Sequence, residues 1–319
     1  MVNQMSIYDI PKHNGITVFK GDTTNRGEWL KHRVIGASSI HNLVEVDRYR
    51  KGWIDKKPEY SSPWLLYKSL KGEYEPQFSE ITQDKLEFGH FAEDFIRAKF
   101  PEKAKFKVYE VIPGDEVIKH KEYDFATCTP DGWVSTDEGW FPMECKTGDS
   151  FQWDKWSGDT VPDEYYSQCQ WILEVTGKEK MYILGWINNR FTKVFTVVKD
   201  QEFIDYMFSL AKEFWKKFQN NIEPELIGNK AEAEALGMAY EIPKETTEKI
   251  KSELALNLAD ELLNSMLELK EIEEKAKPKA DSIKLMIKKE MLEKGVTLME
   301  LGNGLIAKLN KRGALTIGG

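Results

Sequence analysis

Between Thr127 and Thr147 the sequence runs T-C-T-P-D-G-W-V-S-T-D-E-G-W-F-P-M-E-C-K-T, and within it Asp131, Glu144 and Lys146 have the types and spacing for chemistry. The stretch reads as two short strands, rich in aromatic and branched residues, joined by a tight polar turn. With Asp137 and Glu138 as the turn residues, Thr136 pairs with Gly139, and a constant index sum carries the ladder to Asp131 opposite Glu144. Opposed residues of an antiparallel pair share a face, and Lys146 lies two residues beyond Glu144 on that face. A slip by one residue at Pro142, which has no N–H to donate, is the alternative pairing. Two carboxylates side by side repel unless a cation separates them, and a hard divalent ion such as Mg²⁺ takes oxygen ligands. An adjacent lysine orients or deprotonates an attacking water, or stabilises charge developing on a phosphate. The pattern spells phosphodiester cleavage. Glu268-Leu269-Lys270 and Glu273-Glu274-Lys275 repeat the E-x-K spacing, but in a charged helix, where they read as solvated ion pairs.

Thr129-Pro130-Asp131-Gly132, then Glu144-Cys145-Lys146, then Tyr165-Tyr166-Ser167-Gln168-Cys169-Gln170 resemble the ordered core motifs of the PD-(D/E)xK nuclease superfamily. More narrowly, they resemble its phage lambda exonuclease and YqaJ-like viral recombinase branch, over roughly residues 26 to 220. The resemblance implies an α/β, restriction-endonuclease-like core with a central mixed sheet flanked by helices. It implies a Mg²⁺-dependent DNA exonuclease (with Mn²⁺ as the alternative ion), acting 5′→3′ on double-stranded ends in phage-type recombination. By the same resemblance, Glu93, Asp131, Glu144 and the Cys145 carbonyl hold metal and Lys146 activates water. Gln168 and Tyr165 would orient the lysine, the water and the scissile phosphate. A single-strand annealing partner, a ring-shaped homo-oligomer and a bacterial host cytoplasm are implied as well. Two readings compete: an endonuclease of restriction or repair type, and a non-catalytic DNA-end-binding or assembly protein.

Several elements must position these residues. A helix is expected over Glu80–Phe100, ended by Pro101, with Gly89 one turn before Glu93 so that Glu93 approaches a neighbouring element. Glu87 and Asp94 are the alternatives to Glu93, and a surface glutamate is the plain reading. A second helix, Pro162–Thr176, carries Tyr165, Gln168, Trp171, Ile172 and Val175 on one stripe and stops at Gly177. Strands are expected over Lys105–Ile112 and Tyr123–Cys128, and a hairpin joins Lys180–Ile187 to Phe191–Val198 through Asn188-Asn189-Arg190. His120 and Glu122 read as a solvated turn, with Glu122 a remote candidate for the metal shell. Phe151, Trp153 and Trp156 form an aromatic loop, either packed inside or stacked on a duplex end. A helix over Asp200–Phe218 closes the domain.

Ahead of these, Lys31-His32-Arg33 precedes a turn at Gly36-Ala37-Ser38-Ser39 and a helix with Ile40, Leu43 and Val44 inward. A helix N-terminus with hydroxyls and nearby basic residues is a phosphate site; an ordinary capped helix is the alternative. In the resembling family this segment holds the 5′-phosphate end, which gives Lys31, Arg33, Ser38 and Thr129 that role. The family's usual arginine, seven residues before the serine, is Lys31 here, a point charge without a bidentate fork.

With 319 residues, 41% of them hydrophobic, the chain has material for one large domain and an appendage. A net charge of −8 argues against a DNA coat protein, although metal-neutralised acids and a local basic groove are compatible with it. Three cysteines without C-x-x-C spacing argue against a disulfide scaffold, a zinc ribbon or an iron–sulfur cluster and suit a reducing cytoplasm. No apolar run spans a bilayer, and the first ten residues lack the charged-then-apolar order of a signal peptide. The expected organisation is a nuclease domain over 1–222, with an extended arm at 1–25, a linker at 223–243 and a helical hairpin with a small β tail at 244–319. The tail's β-hairpin is centred on Asn303-Gly304, and its helices are separated at Lys277-Pro278.

Overall fold

A computed structural model describes residues 12–21, 34–149, 153–188, 191–239, 253–302, 305–310 and 313–318. The chain divides into two compact units, Met1–Ile242 and Pro243–Gly319.

The first unit is built on a five-stranded mixed sheet. Its strands are β3 (Glu110–Pro113), β6 (Gly132–Thr136), β7 (Gly139–Gly148), β8 (Lys180–Ile187) and β9 (Phe191–Val198), in that spatial order. β6 and β7 pair in the expected register, from Thr136 with Gly139 to Gly132 with Met143, without a slip. Pro142 is accommodated because β7 begins to pair with β8 only at Met143. That second pairing is parallel, so a helical crossover must connect the two strands. The crossover consists of α4 (Trp153–Ser157) and α5 (Asp163–Thr176). Acidic Asp163 and Glu164 in the first turn of α5 favour the positive end of its dipole, and Gly177 ends it at φ 64°.

The sheet separates two cores. One face packs Val134, Phe141, Met143, Cys145 and Leu184 against Ala92, Ile96 and Phe100 of α3 (Glu80–Lys103). The other packs Trp133, Trp140 and Ile183 against Trp171 and Ile172 of α5 and Phe208 of α6 (Gln201–Gln219). Each buried tryptophan removes on the order of 150–250 Å² from water, which makes this the heavier layer. Trp156 is fully buried there, and a methyl on Gly185 would lie 2.4 Å from its ring. Packing, not stacking on a duplex, is therefore the role of this tryptophan.

A four-stranded sheet flanks this core, in the order β1 (Ile16–Lys20), β4 (Glu116–Lys119), β5 (Ala126–Cys128), β2 (Ile35–Gly36). The arm expected over residues 1–25 thus contributes a strand, because Thr17 and His13 reach the buried carboxylate of Glu116. Two further helices are α1 (His41–Arg50) and α2 (Pro63–Leu70). α3 runs through Pro101 to Lys103: one missing N–H in a last turn costs a single helix bond, and Ala104 N–H still reaches the Phe100 carbonyl. His120 is not a solvated turn residue, since it stacks on Tyr123 and faces Glu174 at 3.6 Å.

The expected linker at 223–243 includes α7 (Lys230–Ala239), whose Ala231 and Ala235 pack on Trp64 and Leu65 of α2. Glu232 is buried and accepts the Ser62 hydroxyl and the amides of Ile227 and Gly228, so this segment is folded onto the first unit.

In the second unit the expected helical hairpin is replaced by one 41-residue helix, α8 (Glu253–Glu293), with Pro278 inside it. One proline removes one backbone bond, whereas the Lys-, Glu- and Ala-rich residues around it are strong helix formers. The tail hairpin is present as β10 (Leu298–Gly302) with β11 (Leu305–Leu309), and a third strand, β12 (Leu315–Gly318), pairs with β11.

Candidate active site

β7 places Glu144 and Lys146 on its α5-facing side, as the period of two in a strand requires. Glu144 is only 1% exposed, and its Oε2 accepts from Lys146 Nζ at 2.7 Å and from Gln168 Nε2 at 2.7 Å. Tyr165, one turn before Gln168 on α5, sets its ring 5.4 Å from Lys146 Nζ. Burial, and then the negative charge of Asp131, push Glu144 up to about 8 against the pull of Lys146. Burial works to strip the Lys146 proton, but Glu144 and Asp131 outweigh it and hold the lysine above its ordinary value.

Asp131 stands in the turn that enters β6. Its carboxylate accepts the Cys145 amide at 2.7 Å, which ties it across the β6–β7 ladder beside Glu144. Its carbonyl accepts from Arg97 Nη1 at 2.7 Å and from the Gly114 amide at 3.2 Å. Glu93 comes from α3, and its carbonyl lies 4.0 Å from Cys145 Sγ. Its carboxylate takes His90 Nδ1 at 3.1 Å and Arg97 Nη1 at 3.4 Å, while burial and Asp131 raise it. Glu93, Asp131 and Glu144 thus lie in one electrostatic field, from three different elements. Of the alternatives to Glu93, Asp94 has a 90% exposed side chain and Glu87 accepts from Gln83 on the helix surface. Gly89 faces β7, but a methyl there would sit 3.7 Å from Thr147 Oγ1, so the approach of Glu93 does not depend on glycine.

Residues 28–179 match the YqaJ-like viral recombinase domain. Over that segment, a little under half of the chain, the sequence is similar to that family. The segment's bounds contain every site residue expected from the sequence. An alkaline exonuclease from Laribacter hongkongensis is 18% identical, with a TM-score of 0.46 over 62% of this chain and 94% of that one. Its complex with dAMP gives 16% identity and a TM-score of 0.45 over 62% and 94% of the two chains. A phage related exonuclease from Haemophilus somnus 129PT gives 14% identity and a TM-score of 0.42 over 61% and 98%. No curated protein matches the sequence significantly.

The YqaJ-like segment also contains the residues expected around a terminal phosphate, of which Lys31 and Arg33 lie outside the described residues. Ser38 is exposed and Thr129 half-buried. Parallel pairing of Ile35 with Ala126 and Gly36 with Thr127 brings each to the same end of the small sheet, two residues past the last pair. The expected serine cap is absent: the N-cap of α1 is Ile40, without a side-chain bond, because the Ser39 hydroxyl closes the turn on Gly36. Glu122 is exposed, with its amide bonded to His120 Nδ1.

Arg97 is the site residue that sequence reasoning missed. It stands one turn after Glu93, extending G-x-x-x-E to G-x-x-x-E-x-x-x-R, and that spacing was its only visible signal. The donor set of the YqaJ-like site fits a hard divalent cation: three carboxylates, Glu93, Asp131 and Glu144, face two cations, Lys146 and Arg97, and the charge of Asp131 helps to raise both glutamates. As they stand these carboxylates are engaged by protein donors, and among the described residues no three His, Cys, Asp or Glu side chains converge as a metal shell.

Proposed function

We propose that this chain is a Mg²⁺-dependent exonuclease (Mn²⁺ serving as well) that hydrolyses double-stranded DNA from 5′ ends in phage-type recombination. The observation that carries the reading is the buried Glu144 carboxylate, shared by Lys146 and Gln168 beside Asp131, inside a YqaJ-like segment. Glu93, Asp131, Glu144 and the Cys145 carbonyl would hold the cation. Such an ion offsets phosphate charge and lowers the pKa of the attacking water.

The chain's own residues supply the rest. Lys146, held by the Glu144 carboxylate at 2.7 Å, would act as an oriented cation beside the scissile phosphate, where charge accumulates as water attacks phosphorus. Gln168 fixes the Glu144 carboxylate, and Tyr165 walls the lysine. Lys31, Arg33, Ser38 and Thr129 would seat a terminal 5′-phosphate, and a single-strand annealing protein would take up the strand that remains. A homo-oligomeric ring would keep the duplex threaded.

The test is degradation of a linear duplex labelled at the 5′ or the 3′ end of one strand, in Mg²⁺ or in EDTA. The reading expects 5′ label released first, only with Mg²⁺, and faster from a 5′-phosphate than from a 5′-hydroxyl. Undiminished activity in EDTA, or release from 3′ ends first, would overturn it.

A further inference from the structure

Arg97 links two elements that each bring one acid to the site. Its guanidinium is half-buried, and one nitrogen, Nη1, is shared by the Asp131 carbonyl at 2.7 Å and Glu93 Oε2 at 3.4 Å. The other, Nη2, bonds Asp94 on the exposed side of α3. The Asp131 turn is shaped to receive it. A methyl on Gly132 would lie 3.1 Å from Arg97 Cδ and 2.9 Å from the Ile112 carbonyl oxygen. A methyl on Gly114 would lie 1.8 Å from the Pro130 carbonyl oxygen, so the backbone closes directly on this turn from the other side. Asp131 is therefore gripped at its main chain by Arg97 and Gly114, and at its carboxylate by the Cys145 amide.

We infer that Arg97 is a positioning residue that sets the separation of Glu93 and Asp131 for cation binding. The inference rests on the reading of those two acids as metal ligands. α3 packs on the sheet through the apolar side chains of Ala92, Ile96 and Phe100, and apolar burial is by itself non-directional. A planar guanidinium bridging to a main-chain oxygen fixes rotation and height together, which a lysine, with one compact charge, does not. Groups behind metal ligands commonly change affinity 10–100-fold when removed. Arg97 reaches Glu93 through one nitrogen at 3.4 Å, so the acid is aimed without being consumed in a tight bidentate pair.

Mn²⁺ binding to the full chain without DNA, followed by electron paramagnetic resonance of the free ion, tests this without relying on cleavage. Arg97→Gln should weaken Mn²⁺ by at least about tenfold, Arg97→Lys should recover only part of the loss, and Asp94→Ala should match wild type. Thermal melting in EDTA reports folding in parallel. Where Arg97→Gln does not fold, Arg97→Lys decides. Wild-type Mn²⁺ affinity in a folded Arg97→Gln or Arg97→Lys protein overturns the inference, as does a change confined to the melting temperature. No Mn²⁺ binding by wild type would instead overturn the metal reading on which the inference rests.

Discussion

Glu-x-Lys occurs both on β7, as Glu144-Cys145-Lys146, and on α8, as Glu268-Leu269-Lys270 and Glu273-Glu274-Lys275, and the two regions use it oppositely. On a strand, residues two apart share a face, so Lys146 lies 2.7 Å from Glu144 with side-chain exposures of 19% and 2%. On a helix, residues two apart diverge, and partners are found at three or four. Lys270 accordingly pairs with Glu274 at 3.8 Å and Lys275 with Glu271, with all four side chains exposed. The same letters give a buried, charge-raised carboxylate in one place and a solvated ion pair in the other. Secondary structure, not the motif, decides which.

The comparison is tested first where the expected effect is largest. Asp131→Ala or Glu144→Ala should lower cleavage at least about 10³-fold, on the scale of losing a principal electrostatic group. Weak DNA binding should survive in a filter or fluorescence assay, and Glu268→Ala should cleave like wild type. Full activity in either of these two variants would erase the distinction. Lys146→Ala should cost on the order of 10²-fold in rate with DNA affinity little changed. A loss confined to affinity would reduce this lysine to a phosphate contact.

Glu174 on α5 is an intermediate case, a shielded carboxylate outside the site. His120 first, and then Lys199, pull it down from 4.5 to about 2. Its contribution is therefore fully present above pH 4.5 and is lost as the pH falls toward about 2. Urea unfolding at neutral pH should show Glu174→Gln less stable by about 1–3 kcal/mol, the difference shrinking toward pH 2–3. An unchanged difference across that range would mean the loss is packing, not charge. At the small end, Lys275→Ala should shift stability by no more than about 0.5 kcal/mol, as exposed helix pairs do.

Much of the site was legible because hairpin and helix periods are local rules. The index sum through Asp137-Glu138 gave the β6–β7 register down to Gly132 and Met143, and the α5 stripe put Tyr165 and Gln168 on one face, where Tyr165 lies by Lys146 and Gln168 bonds Glu144. What local rules do not reach was missed. Arg97 meets Asp131 through a main-chain oxygen 34 residues away, and a backbone acceptor leaves no trace in side-chain pattern. β1 and β4 pair across a long separation from segments without a clear alternation. α7 was hidden among Pro and Gly residues because its fixing contact, Glu232 to Ser62, spans 170 positions. Pro278 suggested a break in α8 by propensity, yet the helix-forming residues on either side carry the chain through it.

The central claim is that β7 and α3 build a cation-dependent site that works from DNA ends. One plasmid, supplied closed-circular and linearised with 5′-phosphates, tests it in a single assay with Mg²⁺ or with EDTA. The account predicts that the linear form is degraded in Mg²⁺, that the closed circle is nearly untouched, and that EDTA stops both. Cutting of the closed circle as fast as the linear form, or degradation that persists in EDTA, would contradict it.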